Sequence, residues 1–264
     1  DTVQDYVDID IFSPNEQLLC YYAIALGFSE MKESAKAESY LEKAEDLLAR
    51  LLSERVQRNT IPFMQIIGLK TFIEYRLGRP QRAAAVIDQA AREFRDEYSA
   101  KQLDLFRNRL KILGEKAGSI EYQFWIGNGR PVDVSALKGK VVLLAFFTWN
   151  CETCTAALPS LFALKEQFSE NDFRIIGATQ YTGSYEYDRD ISELKEYEYL
   201  RDHYYVKRNL SWPVAITRSD FMDKYGISSY PVYILIDKEG IVRDGYFISN
   251  YAYIRKKIES LIEE

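Results

Sequence analysis

Apolar residues recur at three- and four-residue spacing through the first part of the chain. Leu18, Tyr21, Tyr22, Ile24, Ala25 and Phe28 follow Ser13-Pro14-Asn15-Glu16, a sequence suited to a helix start. Ala37, Leu41, Ala44 and Leu48 form a second stripe. Leu69, Phe72 and Ile73 form a third, ended by Gly78 with Pro80 just beyond. Ala83, Val86, Ile87 and Ala90 make a fourth, and Leu103, Leu105, Phe106, Leu110 and Leu113 a fifth. Two of these stripes share a small–large–small spacing: Ala37, Leu41, Ala44 and Ala83, Ile87, Ala90.

With Tyr21, Ala25 and Phe28 ahead of the first copy, the region resembles a degenerate pair of tetratricopeptide hairpins. The copies lie further apart than the ~34 residues of that repeat, and a plain helical bundle has the same stripes.

The pattern changes after Gly114-Glu115-Lys116-Ala117-Gly118. Helical periodicity gives way to short continuous apolar runs, at Val141–Phe147, Phe173–Ala178 and Val232–Asp237. Such runs fit strands buried on both faces. Tyr122–Ile126 and Pro131–Val134, separated by Gly127-Asn128-Gly129, predict a β-hairpin. Helical patterns at roughly 154–169, 189–206, 219–225 and 251–263 separate or follow the strands. Strands alternating with helices predict an α/β sheet. The expected organisation is a helical-hairpin domain over 1–116 and an α/β domain over 117–264.

Composition narrows the chemistry. The 264 residues are long enough for two domains with real cores, which disfavours disorder. Lys plus Arg is 34 against 40 Asp plus Glu, a formal charge of −6, and no basic cluster stands out. A phosphate-binding face has little to draw on, so no nucleic-acid partner is expected. No apolar run approaches the ~18 residues of a membrane span. One His and three Cys leave little for zinc and only His203 for a serine–histidine triad. The chain starts at Asp1 rather than Met, which favours a trimmed precursor.

The sharpest chemical signal is Cys151-Glu152-Thr153-Cys154, directly after the Val141–Phe147 run and at the start of a helical pattern. Backbone N–H groups and the helix dipole at that end stabilise a thiolate. The first Cys of such a pair is normally the attacker, and the second resolves the mixed disulfide. Half of a zinc site is the competing reading. It needs two further ligands, and only Cys20 and His203 remain. Cys20 lies on an apolar helical face and is expected to be a buried, inert thiol. His203 lies in a polar, Tyr-rich helical pattern and is expected to be solvated.

Leu137-Lys138-Gly139-Lys140-Val141-Val142-Leu143-Leu144-Ala145-Phe146-Phe147 and the cysteine pair after it resemble the thioredoxin-like TlpA/redoxin family of thiol–disulfide oxidoreductases. Pro159 stands where those proteins bend the active-site helix. Lys224-Tyr225-Gly226-Ile227-Ser228-Ser229-Tyr230-Pro231-Val232-Tyr233-Ile234-Leu235-Ile236-Asp237 resembles the segment carrying the family's cis-proline. The resemblance spans about 117–264. It implies a thioredoxin-like fold, Cys151 as nucleophile, Cys154 as resolver, and Pro231 as a cis-proline beside the pair. The Tyr230 backbone is then expected to hold an extended substrate segment. Trp149, Asn150, Glu152 and Thr153 flank the thiols and are expected to modulate them. No cofactor and no metal are implied. The implied partners are a protein disulfide or dithiol substrate and a redox protein, with a partner or a second copy of the chain on the helical domain. Only together with this family resemblance does the start at Asp1 make an extracytoplasmic home, the bacterial periplasm first, the expectation.

The sequence departs from the family at several positions. Asn150 replaces a usual Trp and Thr153 a frequent Pro. Ala145 and Ala157 occupy two positions where relatives place an acid that serves the resolving thiol. Two rivals follow. The chain is a scaffold with a weakly active fold, or it is a peroxiredoxin-like peroxidase using Thr148-x-x-Cys151. Against the peroxidase, Leu144 and Pro231 stand where that site needs Pro and Arg.

Overall fold

The computed structural model describes residues 14–31, 33–53, 63–127, 131–132, 134–227, 229–246 and 251–264. It divides into two compact units, Asp1–Leu110 and Lys111–Glu264.

In the first unit each apolar stripe is a helix: α1 Pro14–Glu30, α2 Ser34–Ser53, α3 Phe63–Arg76, α4 Pro80–Glu93 and α5 Glu97–Ile112. Helix α1 packs on α2, α3 on α4, and α1 on α3. Two helical hairpins therefore lie side by side. The repeated small–large–small positions Ala37, Leu41, Ala44, Ala83, Ile87 and Ala90 are all buried. Small side chains there let helices approach while Leu41 and Ile87 fill the seam. Gly78 ends α3 in the left-handed region (φ +74°), and Pro80 opens α4 where its missing N–H is no loss. Gly68 serves a different need, since a Cβ there would meet the Phe106 ring at 3.0 Å.

The second unit is a six-stranded mixed sheet with flanking helices. Its strands are β1 Tyr122–Ile126, β2 Val141–Phe146, β3 Phe173–Gln180, β6 Val214–Thr217, β7 Val232–Ile236 and β8 Val242–Tyr246. Two short strands, β4 Ser184–Tyr185 and β5 Asp188–Arg189, pair separately. The helices are α6 Glu152–Gln167, α7 Glu193–Tyr199 running into a π-helical stretch Leu200–Val206, α8 Ser219–Lys224 and α9 Tyr251–Glu263. The sheet order is β1-β6-β3-β2-β7-β8. Strands β2, β3 and β6 run parallel, and β7 is antiparallel to β2. This is the thioredoxin-like α/β arrangement that the resemblance implies. Every residue of β2 and β7 is buried, as their continuous apolar runs require.

The hairpin expected around Asn128-Gly129 is corrected by the sheet. Asn128 and Gly129 lie outside the described residues. Pro131 and Val132 lie in no strand, and Val134–Leu137 is a 3-10 turn. Strand β1 pairs instead with β6, antiparallel, Trp125 opposite Ala215 and Ile126 opposite Val214. A sheet position beside a buried strand far along the chain wins over the local turn. It buries Ile126 and completes the backbone hydrogen bonds. The polar strand β8 has no counterpart among the apolar runs. Its turn from β7 is built on the buried Asp237, which accepts from the N–H groups of Glu239 and Ile241 and from the Arg243 guanidinium.

Candidate functional site

Strand β2 ends at Phe146, and the chain turns through Phe147–Asn150 into α6. Cys151 is the N-cap of that helix, with extended backbone (φ −91°, ψ 106°). Its sulfur accepts the Cys154 N–H at 3.0 Å. Cys151 and Cys154 are disulfide-bonded, with Cα atoms 5.2 Å apart. Cys151 is half-buried, while Cys154, one turn into the helix, is 4% exposed. When the pair is reduced, the N–H at the Cys151 sulfur and the helix N-terminus both favour a thiolate there. Pro159 lies inside α6 and cannot donate to the Thr155 carbonyl.

The Tyr230–Pro231 peptide bond is cis. Pro231 is buried and lines a cavity of about 20 Å³ together with Cys154, Ala145, Trp212, Tyr204 and Tyr233. The two motifs singled out in the sequence therefore meet at one place. Tyr230 beside it is half-buried, and that burial pushes its phenol upward.

A family model described as AhpC/TSA matches residues 113–244, half of the chain. This chain belongs to the AhpC/TSA family. Among curated relatives, the thiol-disulfide oxidoreductase ResA of Bacillus anthracis is 28% identical over 115 residues, covering 43% of this chain and 58% of that protein. The thioredoxin-like protein YneN of Bacillus subtilis is 24% identical over 117 residues, 44% of this chain and 62% of YneN. The chain thus spans less than two thirds of these relatives' own length. A thiol-disulfide isomerase from Corynebacterium glutamicum superposes with a TM-score of 0.46 at 21% identity, over 57% of this chain and 97% of that one.

The residues flanking the thiols of this AhpC/TSA chain have distinct surroundings. Thr153 places its hydroxyl 3.3 Å from the Cys151 sulfur. Asn150 is exposed and accepts the Thr148 hydroxyl at 3.1 Å. That contact turns Thr148 to Asn150 rather than to the thiol a peroxidase reading needs. Glu152 is exposed at the first turn of α6. Trp149 donates its indole N–H to the Thr182 hydroxyl at 3.1 Å and lies 4.8 Å from the Tyr185 ring. Ala145 and Ala157 are both buried.

Several residues that matter here carry no signal in the sequence. Thr182 donates its hydroxyl to Glu196 at 2.9 Å, and Glu196 also accepts the N–H groups of Thr182 (2.9 Å) and Gly183 (2.8 Å). Glu196 is fully buried, so this carboxylate is held by three donors and in turn fixes the loop that receives Trp149. No periodicity links positions 182 and 196. Tyr204 comes from the π-helical stretch and stacks on Phe147 at 5.2 Å. Tyr233 does carry a signal: it is two residues beyond Pro231, and alternate strand residues share a face. Its register partner in β2 is Ala145.

Other candidates lie elsewhere. His203 is exposed, 5.7 Å from the Tyr199 ring and 6.4 Å from the Tyr185 ring. Cys20, expected to be buried, is a half-buried free thiol on α1. Among the described residues no group of three His, Cys, Asp or Glu is placed to hold a metal. Among them too, no helix is long and apolar enough to cross a membrane.

Proposed function

We propose that the chain is a thiol–disulfide oxidoreductase acting on protein disulfides through Cys151 and Cys154. The observation that carries this reading is the cysteine pair at the N-terminus of α6, with Cys154 and the cis-linked Pro231 on one cavity. In the reducing direction the Cys151 thiolate attacks a substrate sulfur. A Cys151–substrate disulfide forms, and one substrate thiolate leaves. Cys154 then attacks the Cys151 sulfur, closes the protein disulfide and releases the second substrate thiolate. The reverse sequence oxidises a dithiol. Tyr230 offers its backbone to an extended substrate segment, as in strand addition. Trp149, Asn150, Glu152 and Thr153 border the approach to Cys151 and tune it.

An extracytoplasmic compartment, the bacterial periplasm first, is part of the proposal, because disulfide substrates persist there. The helical hairpins of the first unit serve as the surface for a protein partner or a second copy of the chain, since paired hairpins present concave faces. Sedimentation of the full chain over a range of concentrations tests the second-copy form; a monomer throughout sinks it.

The direct test equilibrates the protein in glutathione buffers and measures turnover of a protein disulfide. A potential near ~−270 mV assigns a reductase and one near ~−120 mV an oxidant. Cysteines that do not cycle under any of these buffers leave the scaffold reading in place.

A further inference from the structure

The cavity behind Cys154 has no carboxylate among its lining residues. Strand β2 contributes Ala145 and Phe146, Phe147 follows them, and α6 contributes Leu158 and Leu161 beside the cysteine. Its polar side chains include two phenols, Tyr204 from the π-helical stretch and Tyr233 from β7, each 2% exposed. They come from elements far apart in the sequence and line the same small cavity as the less accessible of the two sulfurs. Tyr233 extends from the position opposite Ala145. Tyr204 is clamped between the Phe147 ring and the Arg208 guanidinium, 4.1 Å from its ring centre.

We propose that Tyr233 and Tyr204 are positioning residues for the resolving step, stabilising the Cys154 thiolate by hydrogen bonds through a water held in the cavity they share with it. The proposal rests on the disulfide-exchange reading above. In the step concerned, Cys154 loses its proton and attacks the Cys151 sulfur. The Cys151–Cys154 bond forms, the Cys151–substrate bond breaks, and the substrate leaves as a thiolate. The proton released from Cys154 ends on that thiolate or in solvent. No further oxidant or reductant is required, since the substrate disulfide is reduced as the protein pair is oxidised.

The surroundings fit this role. Burial pushes both phenols upward, and for Tyr233 the neighbouring Tyr204 adds to the shift. They therefore stay protonated, and a neutral phenol is an O–H donor. The cavity is large enough for one bridging water. The other titratable or charged groups near Cys154 are Cys151 and Glu152 on its own helix, Arg208 behind Tyr204, and Tyr230 beside Pro231. Glu152 and Arg208 are the charged side chains of this set, and both stand outside the cavity lining.

The test uses the full chain in a Cys20→Ser background. Reduced protein is mixed with limiting Ellman's reagent in a stopped-flow instrument from low to high pH. The first release of thionitrobenzoate reports attack by Cys151, and the second reports resolution by Cys154. Tyr233→Phe removes one hydroxyl and keeps the ring. It is expected to slow the second release about tenfold near neutral pH, the equivalent of one pKa unit. At high pH, where Cys154 ionises unaided, the variant and parent rates should converge. Tyr204→Phe should act in the same direction with a smaller effect. The first release should be unchanged in both, which also reports that the site is folded. Parental second-phase profiles in both variants would overturn the proposal. So would a slowing that is uniform across pH, which marks a packing role. A parent with no second phase removes the disulfide-exchange reading and this inference with it.

Discussion

Cys151 looks out on the hydroxyl of Thr153 and a rim built around Trp149, whereas Cys154 is 4% exposed and faces Pro231, Trp212 and two phenols. Both sulfurs belong to one short motif. Their surroundings are supplied by different parts of the second unit. The rim depends on the segment after β3, through Trp149, Thr182 and Glu196. The inner side depends on β2, β7 and the π-helical stretch. Neighbouring residues on one helix turn thus acquire unlike chemistry because each face of the turn meets a different element. An accessible sulfur at a helix N-terminus is suited to attack, and a covered one to internal resolution.

The strongest way to break this contrast is to remove each sulfur in turn. Cys151→Ser should reduce turnover of a protein disulfide to the uncatalysed background. Cys154→Ser should instead accumulate a mixed disulfide through Cys151, visible as an adduct by mass spectrometry. Equal residual turnover in the two variants would erase the distinction between attacker and resolver. A milder test leaves both thiols in place. Iodoacetamide at neutral pH should label Cys151 about tenfold or more faster than Cys154, given how far a helix N-terminus can depress a thiol pKa. Peptide mapping reads the ratio, and preferential labelling of Cys154 reverses the assignment.

The rim can be loosened without touching sulfur. Glu196→Gln replaces one acceptor oxygen with a donor amide against the three hydrogen bonds now made to the carboxylate. The expected loss is about 1–3 kcal/mol, read as a lower urea midpoint at unchanged slope. Trp149→Phe removes one indole hydrogen bond to Thr182 and keeps most of the ring contact with Tyr185. Its expected cost is the smallest, about 0.5–1.5 kcal/mol. A larger loss from Trp149→Phe than from Glu196→Gln would mean that the ring, not the carboxylate, organises the rim.

Much of the architecture is legible in the chain. Helices α1–α5 each carry an apolar stripe at helical spacing, and Gly78 and Pro80 mark a boundary by backbone geometry alone. Strands β2, β3 and β7 read as continuous apolar runs because they are covered on both faces. Strand β1 is visible too, but its partner is not. An Asn-Gly turn is a local signal, and the pairing with β6 is not. Strand β8 is hidden for another reason. Its buried Asp244 looks like a loop residue until it is seen accepting the Tyr253 hydroxyl at 3.1 Å and the Gly245 N–H at 2.9 Å.

The site divides in the same way. The sequence by itself determined the helix start at Cys151, the second thiol one turn later and the proline that precedes β7, since these depend on residue type and short spacing. Tertiary structure alone decided that Pro231 and Cys154 line one cavity, that Glu196 holds the loop under Trp149, and that Tyr204 and Tyr233 line the cavity beside Cys154. Those contacts join segments whose separation along the chain has no period. They arise where the sheet order places β2 beside β7 and where buried polar groups must find partners.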